Sequence, residues 1–347
     1  MNEGLNLEKK TITLEGWYSS PEKKSVDEKV ANKIKQFPEG KIRDMLLQRT
    51  SVGKRIRPFL LYAMNNGKID AETLSSIGSA IELTHQASLI FDDTIDEHYV
   101  REGCRESIHA LFGNRVEGAG IADHLAEYFL SLNEQSIYEL ELPDAKKMQI
   151  MRQLTEMKQQ MVTAQLADKL ILEKPQQTSW TQWCLAQSYK KTSGLMAFPF
   201  IITGIVQDLN PEERAKFKEC GSALGQIYQL YDDLEDIRVG IQAGPISLSY
   251  PLAILLDNIQ GLGADEQTLL RKITEQRKVL PLDVEKVNKI FHDNIDTINE
   301  KIKQETERLT ALISLPQGIQ GKEEIEKIIK SANNESYWAY KVPRKTN

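Results

Sequence analysis

The chain has 347 residues, of which 40% are hydrophobic and 27% charged, and this composition excludes a wholly disordered polypeptide. The 44 Lys and Arg residues are outnumbered by 50 Asp and Glu residues, and the net charge of −6 excludes a generally basic surface for nucleic acid. The three cysteines, Cys104, Cys184 and Cys220, are too few and too scattered for a disulfide framework or a zinc site, which favours a cytoplasmic location.

Residues 1–25 are polar and mixed, and they predict an N-terminal arm ahead of a domain that spans 26–347. This segment lacks the apolar stretch of a secretory signal. The longest apolar run, 194–206, has thirteen residues and is interrupted by Pro199, whereas a membrane-spanning helix needs about twenty. The sequence therefore predicts a soluble protein without a membrane span.

From about residue 26 onward, the sequence has the periodicity of α-helices. Between Ile77 and Phe91, apolar and small residues recur at steps of three and four. Prolines and glycines separate the helical segments, and alternation of the strand type is scarce. Further helices are predicted at 115–139, 145–173, 179–206, 211–238, 251–258 and 284–312. The predicted fold class is all-α, a single large helical bundle with its site in the core on facing helices.

A first acidic motif follows the apolar run that ends at Phe91. On a helix, Asp92 and Asp96 lie one turn apart on the same face, and Asp93 flanks them. Like charges at this spacing repel each other unless a cation neutralises them, and carboxylate oxygens are ligands that suit Mg²⁺. A single motif of this kind is equally well explained by a solvated acidic face.

A second copy of the same spacing strengthens the metal interpretation. Asp232, Asp233 and Asp236 repeat the DDxxD pattern 140 residues later, again after an apolar helical run. Two facing carboxylate clusters would hold a group of Mg²⁺ ions around one diphosphate. We therefore interpret the pair as a magnesium and diphosphate site.

Basic residues supply candidate partners for such an anion. The run Gly53–Pro58, GKRIRP, places three cations in four residues before an apolar helix that Pro58 can open. Arginine forks and lysine point charges are suited to phosphate. Arg101 and Lys191 are further candidates, although each base taken alone is more often an ordinary solvated side chain.

With these motifs together, the sequence resembles the trans-polyprenyl (isoprenyl) diphosphate synthases. The resemblance rests on GKRIRP, ELTHQASLIFDDTID, YKKTSGL and GQIYQLYDDLED, which occur in collinear order between about residues 45 and 255. It implies an all-α bundle around a deep apolar cavity, usually assembled as a homodimer. The implied reaction condenses an allylic diphosphate with isopentenyl diphosphate, assisted by Mg²⁺, and releases diphosphate.

The resemblance also implies roles for individual residues. The implied metal ligands are Asp92, Asp93, Asp96, Asp232, Asp233 and Asp236. The implied catalytic residues are Asp92, Asp93, Asp96, Arg101, Lys191, Gln229, Asp232 and Asp233. The implied substrate-binding residues are Lys54, Arg57 and His85 for isopentenyl diphosphate, Arg101 and Lys191 for the allylic diphosphate, and Gln165 in the cavity.

Product length is the subject of a separate expectation. In the family, bulky residues four and five positions before the first motif form the floor of the cavity. Here those positions are Ser88 and Ala87, which are small. We therefore expect an elongating enzyme of this sequence to make products longer than fifteen carbons.

The sequence departs from the family pattern after each acidic motif. Arg101 is followed by Glu102 where a second arginine of the isopentenyl diphosphate site is usual, and the segment 103–109 is one residue longer. Arg105 is a candidate substitute for the missing arginine. After the second motif, residues 237–249 form a short segment without the usual lysines.

These departures leave three interpretations open. The first is chain elongation with isopentenyl diphosphate, which the presence of Lys54, Arg57 and His85 favours. The second is a terpene cyclase or an atypical prenyltransferase that uses an allylic diphosphate alone. The third is a non-catalytic partner subunit.

Overall fold

The computed structural model describes residues 13–65, 67–101, 105–112, 115–169, 174, 176–314 and 322–332. As predicted, the fold is all-α. The helices of the first half are α1 (Leu14–Trp17), α2 (Pro21–Ile34), α3 (Lys41–Thr50), α4 (Ile56–Ala63), α5 (Ala71–Ile95), α6 (Arg115–Tyr138) and α7 (Asp144–Lys169). Those of the second half are α8 (Trp180–Trp183), α9 (Lys190–Val206), α10 (Pro211–Val239), α11 (Tyr250–Asp257), α12 (Ala264–Gln276), α13 (Val284–Asp293), α14 (Ile295–Leu312) and α15 (Lys322–Ala332).

Strands are confined, within the described ranges, to two antiparallel pairs of two residues each. Strand β1 (Val100–Arg101) pairs with β2 (Arg105–Glu106) directly after the first acidic motif. Strand β3 (Gly244–Pro245) pairs with β4 (Lys278–Val279) and joins the segment after the second motif to the end of α12. The predicted scarcity of strands is thus consistent with the structure.

Helices α9 and α10 pack against each other more extensively than any other pair, and glycines allow their close approach. A Cβ atom on Gly221 would lie 2.6 Å from Cα of Ala197, and one on Gly225 would lie 2.5 Å from Cα of Ser193. Only glycine fits at these two positions of α10 without moving the backbone of α9. The close contact brings the start of α9 beside the second acidic motif.

The two helices that carry the acidic motifs have well-defined ends. Asp70 caps the N-terminus of α5 by accepting a hydrogen bond from the backbone of Thr73. Asn210 and Glu213 form a capping box at the start of α10, with Pro211 in its first turn. Helix α10 ends at Gly240, whose φ of 101° is accessible mainly to glycine.

Two of the predicted helices are interrupted in the structure. The segment 179–206 contains α8, a π-helical turn at Cys184–Ser188, and α9. The segment 284–312 is divided at Asn294 into α13 and α14. The remaining predicted helices agree with the observed bounds to within two residues, except that residues 170–173 lie outside the described ranges.

The N-terminal segment packs into the same core as the rest of the bundle. The predicted boundary at residue 25 falls inside α2, and residues 1–12 lie outside the described ranges. Leu14 is 5% exposed and Trp17 is completely buried against the rings of Phe59 and Tyr62. None of the helices in the described part of the chain is long and apolar enough to cross a bilayer.

Candidate active site

The first acidic motif lies at the C-terminal end of α5, where its three aspartates have different environments. Asp93 is 1% exposed, and its Oδ2 accepts a hydrogen bond of 2.8 Å from Nη2 of Arg49 on α3. Asp92 and Asp96 are only partly buried, one turn apart as the spacing predicted. The outer two carboxylates are therefore accessible to a ligand, whereas Asp93 is bound to a protein cation.

The second motif, on α10, repeats this division. Asp233 is 6% exposed and accepts hydrogen bonds from Nε2 of Gln229 (2.9 Å), the backbone N–H of Tyr250 (2.8 Å) and the Tyr189 hydroxyl. Burial raises the pKa of Asp233 to about 7, against the opposing effect of these donors. Asp232 and Asp236 are exposed.

Lys191, in the first turn of α9, lies between the two motifs. Its Nζ is 3.9 Å from Oδ1 of Asp92 and 3.7 Å from Oδ2 of Asp168, and it donates a hydrogen bond of 3.1 Å to Oε1 of Gln165. Burial alone would lower the pKa of Lys191, but the carboxylates of both motifs and of Asp168 outweigh it and raise this pKa above its ordinary value. The ammonium group is therefore fully charged at neutral pH.

A short chain of hydrogen bonds connects Thr192, the residue after Lys191, to the second motif. Thr192 donates to Oε1 of Gln229 at 2.6 Å, and Gln229 in turn donates to Asp233. The structure thus brings together the predicted residues Asp92, Lys191, Gln165, Gln229 and Asp233.

The basic GKRIRP segment forms the turn before α4 and the first turn of that helix, and Arg55, at the junction, has an unusual conformation. Arg55 has a left-handed backbone (φ 54°) and a buried side chain. It donates hydrogen bonds of 2.7 Å to Asp27 and 2.8 Å to Glu82, and a third to the carbonyl oxygen of Thr50. These contacts offset the cost of the left-handed conformation, so Arg55 fixes the turn rather than facing a ligand.

The residues on either side of Arg55 were predicted to bind isopentenyl diphosphate. The carbonyl oxygen of Lys54 accepts a hydrogen bond of 3.0 Å from the indole of Trp17, which orients the turn. Burial lowers the pKa of Arg57, against opposing effects of Tyr228 and Glu82, and its Nε has no hydrogen-bond partner among the described residues.

His85, the third predicted residue of this group, belongs to the same region. Its Nδ1 is 3.5 Å from Oε1 of Glu82, the carboxylate that also binds Arg55. Burial would raise the pKa of Glu82, but Arg55 and hydrogen bonds from His85 and Gln86 outweigh it and keep this pKa well below its usual range.

The remaining predicted residues lie on the two short strands after the first motif and on α5 before it. Arg101 is part of strand β1, and Arg105 is part of β2, whereas Glu102 lies outside the described residues. Ala87 is completely buried on α5, and Ser88 is 7% exposed and donates a hydrogen bond to the carbonyl oxygen of His85. The position of both in the interior of the bundle is compatible with their expected role in product length.

The donor set of the two motifs fits a hard divalent cation. The accessible side chains are carboxylates, which suit Mg²⁺, and a bound diphosphate would contribute further oxygen ligands. Within the described ranges, no three His, Cys, Asp or Glu side chains converge closely enough to surround an ion by themselves. The side chains that are present therefore fit a hard cation in the kind of donor atom they offer.

Sequence reasoning missed three residues that support the site: Arg49, Arg55 and Asp168. Arg49 forms an ion pair with Asp93, Arg55 with Glu82, and Asp168 with Lys191. Arg55 was visible inside the GKRIRP run, but its backbone conformation was not. Asp168 lies three residues after Gln165, on the same side of a helix, and this spacing was a signal that could have identified it.

Comparison with known proteins gives the family. The model of the polyprenyl synthetase family matches residues 40–242, which is more than half of the chain and includes both acidic motifs. The chain belongs to the polyprenyl synthetase family. The predicted resemblance is therefore confirmed.

The individual relatives of this family member are distant. Component 2 of heptaprenyl diphosphate synthase from Geobacillus stearothermophilus is 29% identical over 185 residues, which are 53% of this chain and 54% of the relative. A short chain isoprenyl diphosphate synthase from Methanocaldococcus jannaschii is 26% identical over 70% of this chain and 74% of its own. The chain spans about half the length of the first of these two and about three quarters of the second.

Solved structures share the fold of this chain. A polyprenyl synthase from Caulobacter crescentus, complexed with calcium and isoprenyl diphosphate, superposes with a TM-score of 0.73 at 16% identity. The superposition covers 93% of this chain and 98% of that one. At this identity the likeness establishes the all-α isoprenoid synthase fold.

Proposed function

We propose that the protein is a Mg²⁺-dependent prenyltransferase that condenses an allylic diphosphate with isopentenyl diphosphate and releases diphosphate. One observation carries the proposal: Lys191 lies within 4 Å of Asp92, and the next residue, Thr192, is connected through Gln229 to Asp233. A cation placed between two acidic motifs is the arrangement expected where one diphosphate and its metal ions bind. Membership of the polyprenyl synthetase family supports the same reaction class.

In this proposal the partly or fully accessible carboxylates Asp92, Asp96, Asp232 and Asp236 hold the metal. When bound, Mg²⁺ supplies positive charge that stabilises the departing diphosphate. We also expected Asp93 and Asp233 to be ligands, and their contacts with Arg49, Gln229 and Tyr250 lead us to propose that they orient the ends of α5 and α10.

The other residues divide between the two substrates. Lys191 donates to the allylic diphosphate, and its position next to Gln165 and Asp92 aims the ammonium at the space between the motifs. Lys54 and Arg57 bind isopentenyl diphosphate, from the turn that Arg55 and Trp17 fix and from the first turn of α4 that follows it. Apolar side chains around the reacting carbon exclude water, so that the double bond of the second substrate is the nucleophile.

We further propose that the protein acts as a homodimer. Large apolar residues on α6 and α7 are exposed in the single chain: Val116, Tyr138, Met148, Val162 and Leu166. Exposed apolar side chains on two helices that contact each other are a feature of subunit interfaces. The free, buried thiols of Cys184 and Cys220 support the proposed location in the reducing cytoplasm.

The experiment that tests the reaction is product analysis with the purified full chain. Allylic diphosphates of ten and fifteen carbons are incubated with isopentenyl diphosphate and Mg²⁺, and the extracted products are identified by mass. The proposal predicts products extended by units of five carbons. A cyclised hydrocarbon of unchanged carbon number would instead support the cyclase interpretation.

A further inference from the structure

A buried aspartate that the sequence did not single out contacts both Lys191 and the segment after the second motif. Asp168 lies near the C-terminal end of α7 and is 2% exposed. Its Oδ2 is 3.7 Å from Nζ of Lys191, and its Oδ1 accepts a hydrogen bond of 2.8 Å from the backbone N–H of Leu248. One carboxylate therefore contacts a cation of the site and the backbone of residues 246–250, which we call the anchored segment.

The anchored segment is bound at two further points. Its last residue, Tyr250, donates its backbone N–H to Asp233 at 2.8 Å. The carbonyl oxygen of Leu248 accepts a weak hydrogen bond of 3.4 Å from the thiol of Cys184. Carboxylates on α7 and α10 thus fix the part of the chain in which this sequence departs most from the family pattern.

The contacts of Lys191 show what Asp168 contributes. A lysine side chain has four rotatable bonds, and it keeps one orientation only when several partners restrict it. Gln165 and Asp168 lie three residues apart on α7 and place two oxygens on one side of the ammonium. Asp92 lies 3.9 Å from the same nitrogen. When Asp92 binds a metal ion, Asp168 remains as the carboxylate that restrains Lys191.

We propose that Asp168 is a positioning residue that orients Lys191 toward the diphosphate and couples it to the anchored segment. The proposal rests on the proposed function, because it assigns Lys191 to diphosphate binding. Asp168 is too deeply buried behind Lys191 to act as a metal ligand in the arrangement observed.

A positioning role and a purely electrostatic role of Asp168 predict opposite effects of Asp168→Asn on diphosphate affinity. Removal of a negative charge close to an anion site reduces repulsion, so charge alone predicts that Asp168→Asn binds diphosphate more tightly. Asparagine retains an oxygen for the Leu248 N–H, but it presents an NH₂ group to the ammonium of Lys191. Positioning therefore predicts weaker binding without loss of the fold.

The test uses the full chain with Mg²⁺ and inorganic pyrophosphate as the probe, measured by titration calorimetry. We expect Asp168→Asn to weaken binding at least about tenfold, the size of effect expected for a buried charged contact. The matched control is Asp257→Asn. Asp257 also accepts backbone hydrogen bonds, from Trp180 and Thr181 at the start of α8, but it has no contact with Lys191. The control should bind pyrophosphate as the unaltered chain does.

A double substitution shows whether Asp168 acts through Lys191. In a Lys191→Gln background, Asp168→Asn should have no further effect on binding. Unchanged or tighter binding by Asp168→Asn alone would overturn the proposal, and so would an undiminished effect in the Lys191→Gln background.

A measurement without any ligand separates this proposal from the proposed function. Hydrogen exchange of the peptide that contains the anchored segment should be faster in Asp168→Ala and unchanged in Asp168→Asn, because only alanine removes the acceptor of the Leu248 N–H. Equal exchange in Asp168→Ala and the unaltered chain would overturn the anchoring role. Absence of pyrophosphate binding by the unaltered chain would instead refute the proposed function, while the exchange result still decides the anchoring.

Discussion

At the scale of single residues, each acidic motif contains carboxylates with two different roles. Asp93 and Asp233 are buried and accept hydrogen bonds from the protein, whereas Asp92, Asp96, Asp232 and Asp236 are partly or fully accessible. Successive aspartates leave the helix in different directions, so the second one of each motif reaches protein partners that the first does not. The accessible carboxylates are the ones expected to determine the dependence on metal.

The first prediction concerns one accessible carboxylate from each motif. Asp92→Asn and Asp232→Asn should each lower the rate of diphosphate release at least about 100-fold, which is about 2.7 kcal/mol of transition-state stabilisation. The control is Asp208→Asn, a surface carboxylate paired with Lys146 at the end of α9. Its rate should remain close to that of the unaltered chain. Full activity of either motif variant would refute the metal assignment.

The second prediction concerns Ala87 and the length of the product. Ala87→Phe should shorten the product, because a buried ring occupies space in the bundle interior that an isoprene unit would need. Overpacking should also destabilise the protein by about 1–3 kcal/mol, so the melting temperature is measured beside the product mass. A folded variant with products of unchanged length would show that the growing chain extends elsewhere.

At the scale of elements, the turn before α4 depends on a buried ion pair with α5. Arg55 donates to Glu82 at 2.8 Å, and both side chains are almost completely buried. Removing one partner of such a pair leaves an uncompensated charge in the interior. The pair fixes the backbone of the residues that were predicted to bind the second substrate.

The third prediction is that Glu82→Gln destabilises the protein in a manner that depends on pH. At pH 7 the loss should be about 3–5 kcal/mol in urea unfolding. The folded-state pKa of Glu82 lies below that of the unfolded chain, which is about 4.3. Its contribution to stability is therefore fully present above the unfolded value and is lost as the pH falls toward the folded one. The difference between the two proteins should narrow below about pH 4.

Glu72→Gln is the matched control for this prediction. Glu72 lies on the same helix and forms an exposed ion pair with Lys29. An exposed pair contributes about 0–1 kcal/mol. A difference in the free energy of unfolding between the unaltered chain and Glu82→Gln that does not narrow as the pH falls from about 4 to about 2 would contradict the lowered pKa of Glu82.

At the scale of the whole molecule, the N-terminal helices belong to the bundle. Trp17 is completely buried, and its indole donates a hydrogen bond to the carbonyl oxygen of Lys54. The N-terminal segment therefore contacts the turn that was predicted to bind isopentenyl diphosphate.

The fourth prediction is that Trp17 contributes to both stability and substrate binding. Trp17→Ala should lower the free energy of unfolding by about 3–5 kcal/mol, as expected for a large core side chain. Trp17→Phe retains most of the apolar contact but loses the hydrogen bond to Lys54. It should therefore raise the KM for isopentenyl diphosphate, while its free energy of unfolding falls by less than that of Trp17→Ala. A loss below about 1 kcal/mol in Trp17→Ala would show that α1 is not part of the cooperative core.

The sequence was sufficient for the fold class and for the motifs, because helical periodicity and DDxxD spacing are local patterns. It did not reveal the break at Cys184–Ser188 or the one at Asn294, since both depend on how the segments pack. The sequence also did not reveal the contacts of Asp93 and Asp233. Their partners Arg49 and Tyr250 lie on other elements, and only the folded chain brings them together.

The measurement that tests the central claim most directly is the rate of diphosphate release from an allylic diphosphate, with and without isopentenyl diphosphate. We predict that release requires both isopentenyl diphosphate and Mg²⁺ and that it stops in excess EDTA. Release that proceeds equally well without isopentenyl diphosphate, or that persists in excess EDTA, would contradict the account.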